Sequence, residues 1–566
     1  MILPDDQIRK LILAQGLADE KTLEPVERLA RDTKIPLAEA LVKKGGVLTD
    51  EQLGGLTASA LNLPFVVLSK ATIPEDIARV IPTRIARRKK AIAFERGKEG
   101  LKVALANPMG EALLLQMIAR KTGQNAVSYY ATEADIERTL QVYKEDLQAV
   151  MNSLVRVPGK PVEESIGEAP IAEIVEKLIQ SAYSDRASDI HIEPQDEESL
   201  VRFRIDGVLQ DVLSLPTALH DRLITRIKVL SDLRTDEHLS AQDGKMQMEL
   251  PEEDLDIRVS IIPIADGEKA VLRLLSSKSR EYTLADLGMA VGDLSKVTRA
   301  MNKTTGTILS TGPTGSGKTT TIYAILKILN TREKNITTIE DPVEYRIKGA
   351  NQIQVNTKTN LTFANGLRSI LRQDPNVIFV GEIRDAETAG IAVNAALTGH
   401  LVLSTVHTNN AAATIPRLVD MKIEPYLVAS TVNVIVAQRL VRKICGYCKV
   451  ESVEGEEELV KNFPKETIAS HFKEMKAGKA IVYHGKGCKM CRGTGYSGRL
   501  GLFEVLEVSK SVRKLILSRA DASDIEKTAI MEGMRSFLDD GLEKVARGQT
   551  TIEEVLRVTK VEFSEG

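Results

Sequence analysis

Residues Gly312 to Thr319 have the types and the spacing that bind phosphate groups. They fit the pattern G-x-x-x-x-G-K-[ST], in which glycines without side chains let backbone N–H groups approach phosphate oxygens. Lys318 is expected to reach the β- and γ-phosphates of a nucleotide, and the Thr319 hydroxyl to bind Mg²⁺. The residues expected to contact the nucleotide are Gly312, Pro313, Thr314, Gly315, Ser316, Gly317, Lys318, Thr319 and Thr320.

The segments on either side of this loop have the patterns of a strand and a helix. Thr307 to Ser310 is predicted to be a short buried strand, and Thr320 to Leu326 is predicted to be helical. Strand, glycine loop and helix in this order distinguish a phosphate-binding loop from a chance glycine-rich turn. The positive end of the helix would help to hold the phosphate anion.

Two later segments each place carboxylates after an apolar run. The first ends at Glu340 and Asp341 and continues to Glu344, and the second ends at Gly381 and Glu382. Either cluster alone would more often cap a strand or begin a helix. Both follow a phosphate loop at βαβ spacing, and the ends of parallel strands meet at the ligand crevice. Glu382 could hold Mg²⁺ directly, hold it through water, or orient the attacking water.

A third apolar segment runs from His400 to His407 and ends in Thr-x-His. A single histidine is most often structural. Because His407 ends a predicted strand of the nucleotide-binding core, it is a candidate for sensing the γ-phosphate.

The four cysteines form two CxxC pairs, Cys445 with Cys448 and Cys488 with Cys491. This pattern predicts a tetrahedral zinc site, and redox chemistry is the alternative. Four thiolates leave no open coordination position, so the zinc is expected to be structural. It would hold a sub-lobe of about residues 440–500.

The composition excludes several classes of protein. The chain has 566 residues, 43% of them hydrophobic, and a net charge of −2, so we expect several domains and no electrostatic binding of nucleic acid. It has no apolar run of roughly 18 residues, the length of a membrane span. The N-terminus has no signal-like pattern. We therefore expect a cytoplasmic protein that meets membranes only through partners.

The order of patterns predicts two N-terminal modules, a linker and two larger domains. Residues 11–23 and 41–53 form a weak helical repeat, and an α/β pattern follows. The predicted divisions are a helical module at 1–60, a small α/β domain at 61–146, a linker at 147–170, an α+β domain at 171–284, and the nucleotide-binding domain with C-terminal helices at 285–566.

Two strands of the predicted α+β domain carry arginines on their polar sides. Leu255 to Ser260 and Ala270 to Leu274 alternate between apolar and polar residues, which places Arg258 and Arg273 away from the core. Taken alone, this pattern favours a solvated sheet face.

Taken together, these motifs resemble those of the type II/type IV secretion ATPase superfamily over about residues 170–560. The resemblance rests on the phosphate loop, Ile-Glu-Asp-Pro-Val-Glu, Val-Gly-Glu-Ile-Arg-Asp, Thr-Gly-His with Ser-Thr-Val-His-Thr-Asn, and the paired CxxC motifs. The zinc module and the long N-terminal region are most similar to PilB-type pilus assembly ATPases, and the shorter PilT-type ATPases lack both. GspE-type ATPases of type II secretion are the close alternative.

The resemblance implies a RecA-like P-loop core preceded by a PAS-like α+β domain, assembled into a homohexamer that hydrolyses ATP. It implies that Glu344 is the catalytic base and that Glu382 is tied to Mg²⁺. It also implies that His400 and His407 form the His box. Arg258 and Arg273 match arginines that approach the γ-phosphate, which reverses the solvated-face interpretation.

The implied function is a motor that turns an inner-membrane platform protein during pilus assembly, at the cytoplasmic side of that membrane. A type II secretion motor is one alternative, and a nucleotide-gated signalling module with little turnover is another. Homologues that bind cyclic di-GMP carry Arg-Leu-Gly in each N-terminal repeat. Here Asp6-Gln7-Ile8 and Pro36-Leu37-Ala38 stand instead, which argues against dinucleotide binding and favours docking to the pilus machinery.

Overall fold

The computed structural model describes residues 3–33, 36–44, 48–68, 71, 73–97, 99–140, 147–155, 167–250, 253–276, 282–461, 463–472 and 478–559. The chain divides into two compact units, Met1–Ser279 and Arg280–Gly566. Residues 156–166, in the middle of the expected linker, lie outside the described part.

The first module of the first unit is helical. Its amphipathic helices bury one apolar face each, and Ile8, Ile12, Leu23 and Leu41 meet in a small core. Thr49 caps the fourth α-helix in a reciprocal pair with Gln52. The helices span Asp5–Ala14, Glu20–Thr33, Leu37–Glu39 and Asp50–Ala60, with a π-helix at Ala40–Lys44.

A small α/β module follows, with its own core around Ile92, Val103 and Ile118. Its three strands, in the order β1-β2-β3, are β1 (Ala91–Gly97), β2 (Gly100–Leu105) and β3 (Ala126–Tyr130). Its helices span Glu75–Ala78, Thr83–Lys89, Ala112–Thr122 and Glu133–Thr139.

The α+β domain is built on a six-stranded antiparallel sheet in the order β6-β5-β4-β9-β8-β7. The strands are β4 (Asp189–Pro194), β5 (Glu198–Ile205), β6 (Val208–Pro216), β7 (Gln242–Glu249), β8 (Asp254–Ile264) and β9 (Gly267–Leu275). Helices Ile171–Ser184 and His220–Leu230 pack on its apolar side. The start of the expected linker is a helix, Leu147–Val155, because Met151 and Val155 bury their side chains in this core.

The second unit is built on a seven-stranded sheet in the order β12-β11-β13-β14-β10-β15-β18. Pairs from β12 to β15 are parallel, and β15 pairs with β18 antiparallel. The unit's strands are β10 (Gly306–Thr311), β11 (Ile336–Glu340), β12 (Ala350–Gln354), β13 (Val377–Val380), β14 (Leu401–Val406), β15 (Val432–Ile444), β16 (Lys449–Gly455), β17 (Lys479–Gly485) and β18 (Tyr496–Glu507).

Helices cover this sheet, which explains why its inner strands are buried along their whole length. β10, β13 and β14 are buried at every position. This arrangement confirms the predicted α/β class. The helices span Val291–Met301, Lys318–Leu329, Phe363–Ile370, Ala386–Leu397, Thr414–Asp420, Pro425–Thr431, Glu456–Val460, Lys465–His471, Lys510–Leu517, Ala522–Met531, Phe537–Ala546 and Ile552–Thr559.

A buried carboxylate fixes the last helix to β15. Glu554 accepts hydrogen bonds from Arg442 Nη2 at 2.7 Å and from Arg557 Nη2 at 2.7 Å, and it also accepts from the Arg442 backbone N–H at 2.8 Å. Burial alone would raise the pKa of Glu554, but these bonds outweigh it and lower the pKa to about 2. The charged form is therefore the one that stabilises the fold.

We expect Glu554→Gln to lower the stability of the second unit by about 3 kcal/mol at pH 7, since one pKa unit is worth about 1.4 kcal/mol. The folded-state pKa lies below the unfolded one. The stabilisation is therefore complete above about pH 4.5, and it disappears as the pH falls toward 2. Thermal unfolding at several pH values would measure this. The exposed neighbour Glu553→Gln is the control, and an equal effect of both changes would refute the role of Glu554.

Candidate nucleotide site

The phosphate loop connects β10 to the helix that begins at Lys318. Gly312, Gly315 and Gly317 have φ angles of 141°, 78° and 91°, which side chains strongly disfavour. The glycines of the pattern are therefore required by the backbone itself. The loop bends sharply and presents the first turn of the helix at the carboxyl end of the parallel strands.

Lys318 folds back over the loop. Its Nζ donates to the carbonyl oxygens of Gly312 at 2.8 Å and Pro313 at 3.0 Å, and the side chain is largely buried. Burial lowers the pKa of Lys318, although Glu382 acts in the opposite direction. A phosphate group would replace these two weak acceptors with a charged one.

Glu382, Arg384 and His407 gather beside this lysine. Glu382 forms an ion pair with Arg384, and its Oε2 lies 3.4 Å from His407 Nε2. Burial, followed by the charge of Lys318, lowers the pKa of His407, although Glu382 opposes both. The imidazole is therefore neutral at pH 7. The structure thus brings together Lys318, Glu382 and His407 from three segments of the chain.

Glu344 follows β11 and lies against the phosphate-loop helix. The Tyr323 hydroxyl interacts with the backbone of Glu344 and donates a hydrogen bond to Glu340. Glu340 also accepts from Thr338 Oγ1 at 2.6 Å, and burial raises its pKa. Tyr323 and Glu340 therefore anchor the segment that carries Glu344.

The two histidines of the predicted His box lie at opposite ends of β14. His400 precedes the strand and its Nδ1 lies 3.0 Å from the carbonyl oxygen of Ala395. His407 follows the strand. A six-residue strand is about 20 Å long, so only His407 is near Lys318 within this chain. The role that the resemblance implies for His400 stays a prediction.

Arg258 and Arg273 are directly opposite each other on β8 and β9 of the first unit. Arg273 Nε donates to the buried carboxylate of Asp189 at 2.9 Å, and Arg204 Nε lies 3.3 Å from the same carboxylate. The Arg273 side chain is 62% exposed. Asp189 therefore holds the base of the guanidinium while most of the side chain remains open to solvent.

All four cysteines form one cluster, and each contributes a sulfur atom within 4.8 Å of the others. The distances are 3.9 Å between Sγ of Cys445 and Cys488, 3.8 Å between Cys448 and Cys491, and 3.7 Å between Cys488 and Cys491. A tetrahedron with Zn–S bonds of about 2.3 Å has edges of about 3.8 Å. The cluster therefore has the geometry of a zinc site.

Backbone N–H groups stabilise the thiolate form of one of these sulfurs, and the thiolate is the form that binds a metal. Cys491 Sγ accepts N–H hydrogen bonds from Cys488 at 3.1 Å and Gly495 at 3.2 Å. Burial raises the pKa of Cys491, but these bonds outweigh it and lower the pKa to about 7. Burial raises the pKa of Cys448 to about 12, so a cation is needed to keep all four as thiolates.

We expect the purified protein to contain one zinc ion per chain by mass spectrometry of the metal. Cys491→Ser should lose that zinc and lower the melting temperature by roughly 5 °C, because the metal closes the segment between the two cysteine pairs. His484→Ala is the control, since His484 is exposed on β17 and lies outside the cluster. Protein that carries no zinc and melts at the same temperature as the Cys491→Ser variant would contradict this prediction.

The oxygen ligands expected for Mg²⁺ are the Thr319 hydroxyl and the Glu382 carboxylate. Thr319 lies in the first turn of the loop helix, and Glu382 lies near Lys318. Hydroxyl and carboxylate oxygens suit this cation, which keeps several waters and also binds the phosphates. The donor set therefore fits Mg²⁺.

A glycine loop between a parallel strand and a helix, with a carboxylate from a nearby strand beside the loop lysine, defines a P-loop nucleoside triphosphatase. A family model described as "Type II/IV secretion system protein" matches residues 164–557, and one described as "MshEN domain" matches residues 61–149. The chain belongs to the type II/IV secretion system protein family and is an ATPase, as the motifs predict.

Named relatives and one solved structure agree with this assignment. The type IV pilus assembly ATPase PilB of Myxococcus xanthus is 35% identical over 97% of this chain and 98% of its own length. The type II secretion system protein E of Xanthomonas campestris is 37% identical over 92% and 93%. The ATPase DotB of Legionella pneumophila has a TM-score of 0.51 at 21% identity, covering 70% of this chain and 96% of DotB, which shows the shared RecA-like fold.

Two features of the site were not predicted from the sequence. Arg384 was part of the motif Val-Gly-Glu-Ile-Arg-Asp, and Tyr323 was part of a predicted helix. Neither residue was given a role. The signal for Tyr323 was a polar aromatic residue within the apolar run Ile322 to Leu326, since a buried hydroxyl requires a partner.

The helices in the described part of the chain include none with the length and hydrophobicity of a membrane span.

Proposed function

We propose that this chain is a hexameric motor that couples ATP hydrolysis to domain rotation and powers type IV pilus assembly. The observation that carries the proposal is the convergence of Lys318, Glu382 and His407 at the phosphate loop. This constellation supplies a phosphate cradle, a carboxylate for the metal and a neutral imidazole at one edge of the sheet.

Each of these residues has a distinct role in ATP hydrolysis. Lys318 leaves the carbonyls of Gly312 and Pro313 and neutralises charge on the β- and γ-phosphates. Thr319 and Glu382 would hold Mg²⁺, which would supply positive charge to the phosphates when bound. Glu344, on the segment anchored by Tyr323 and Glu340, activates the attacking water as general base.

Arg258 and Arg273 complete the site from the α+β domain. Because Asp189 binds Arg273 through Nε, the terminal nitrogens of the guanidinium stay available for a γ-phosphate. An arginine that contacts the γ-phosphate loses this contact on hydrolysis, so the domain that carries it is released. The release of this domain is the movement that performs the motor's mechanical work.

The motor acts at the cytoplasmic side of the inner membrane through a platform protein and the pilus machinery, and it binds no nucleic acid. The match to a pilus assembly ATPase along nearly the whole chain supports pilus assembly. The similar match to a type II secretion protein supports the second candidate, a secretion motor. The N-terminal helical module docks to the pilus machinery and does not bind cyclic di-GMP.

Deletion of the gene in the source bacterium separates these candidates. Loss of surface pili with normal protein secretion, restored by the wild-type chain and not by Lys318→Ala, is the expected result. Normal pili with periplasmic accumulation of secreted proteins would instead establish the secretion motor. An ATP turnover close to zero alongside tight nucleotide binding would favour a signalling module.

A further inference from the structure

A buried glutamine on β15 packs directly beneath the phosphate loop. If Gly312 carried a side chain, its Cβ would lie 2.4 Å from the backbone oxygen of Gln438, and a Cβ at Gly317 would lie 2.8 Å from Gln438 Nε2. β10 and β15 are adjacent parallel strands, with Thr311 beside Ala437. Gln438 therefore contacts the first and last glycines of the loop at the same time.

The side-chain amide of Gln438 is only half satisfied. Its Oε1 accepts a hydrogen bond from the Thr321 hydroxyl, which lies in the first turn of the loop helix. Its Nε2 has no hydrogen-bond partner among the described residues, although the side chain is completely buried. An unpaired buried donor lowers the stability of a fold, and its retention requires a reason.

We propose that Gln438 is a positioning residue for nucleotide binding. The amide spans from Thr321 to Gly317, so it sets the angle between the loop and its helix. Lys318 leaves the carbonyl oxygens of Gly312 and Pro313 when it binds a phosphate. The unpaired N–H of Gln438 then donates a hydrogen bond to the loop in its place. The inference rests on the proposed nucleotide site and assigns it a residue outside the phosphate-loop pattern.

A matched control lies on the same strand. Asn433 is also a buried amide of β15, but its Nδ2 donates to Thr305 O at 2.9 Å and its Oδ1 accepts from Lys303 Nζ at 3.0 Å. It lies at the end of the strand remote from the loop. If Gln438 had only a structural role, replacing either amide should affect melting temperature and nucleotide affinity in the same way.

The test compares Gln438→Met and Asn433→Leu in the full chain. We expect Gln438→Met to melt at or above the wild-type temperature without nucleotide. It should bind a non-hydrolysable ATP analogue with Mg²⁺ about tenfold more weakly, the effect of one hydrogen bond to the bound state. Asn433→Leu should melt lower and bind the analogue as the wild type does.

Wild-type affinity in Gln438→Met, or a loss that only parallels its lower melting temperature, would overturn the proposal. If Gln438→Met does not fold, Gln438→Glu replaces it, because this change keeps the acceptor for Thr321 and lacks the N–H. Unchanged affinity there would overturn the proposal as well. Equal binding by wild type and Lys318→Ala would instead refute the nucleotide site itself, and this inference with it.

Discussion

Lys318→Ala should reduce ATP turnover at least about a hundredfold, which is the usual effect of removing one preorganised charge contact from a phosphoryl-transfer site. Lys318 Nζ contacts the carbonyl oxygens of Gly312 and Pro313, and we propose that it neutralises charge on the β- and γ-phosphates. Steady-state phosphate release from the purified protein at saturating ATP would measure the effect.

Lys327→Ala is the matched control for this change. Lys327 lies in the last turn of the same helix, about two and a half turns from Lys318, so its removal should leave turnover close to the wild-type rate. A Lys318→Ala protein that hydrolyses ATP at half the wild-type rate would contradict the assigned site. The same holds for Glu344→Gln, which removes the proposed general base.

The second large effect is expected at Arg273. Arg273→Ala should lower kcat by about a thousandfold, at the lower end of what an arginine acting on the γ-phosphate contributes. Affinity for ADP should change little, because ADP has no γ-phosphate to contact. The measurement pairs turnover at saturating ATP with ADP binding by calorimetry.

Arg234→Ala is the control for the arginine prediction. Arg234 is an exposed arginine of the same domain, and its side chain forms an ion pair with Asp236, two residues away. If Arg273→Ala kept the wild-type kcat, as Arg234→Ala should, Arg273 would have no role in the reaction. If Arg273→Ala lost ADP binding as well, its role would be structural.

The parts of the site that the sequence predicted are those with local signals. The phosphate loop needs glycines at fixed positions because three of its backbone φ angles are positive. The four-cysteine cluster was predictable because each CxxC pair places two sulfurs on one turn. Such patterns depend on neighbouring residues and are visible without a fold. The RecA-like fold was implied by the family resemblance, and the similarity to DotB confirms it.

The parts that were missed depend on contacts between distant segments. Gln438 looks like an ordinary polar residue after an apolar run, and only the pairing of β15 with β10 places it under the loop. Strand order also decides that His407 lies near Lys318 while His400 lies at the far end of β14. The helix at Leu147–Val155 was expected as linker because its apolar face has no partner within its own segment.

We expect nucleotide binding and hydrolysis to move the arginine-bearing domain relative to the phosphate loop. Spin labels carried by unnatural amino acids at Leu239, 89% exposed in the first unit, and at Met531, 80% exposed in the second, would report this by pulsed electron resonance. We predict different label distances in the nucleotide-free, ATP-analogue and ADP states. The same distance distribution in all three states would contradict the motor.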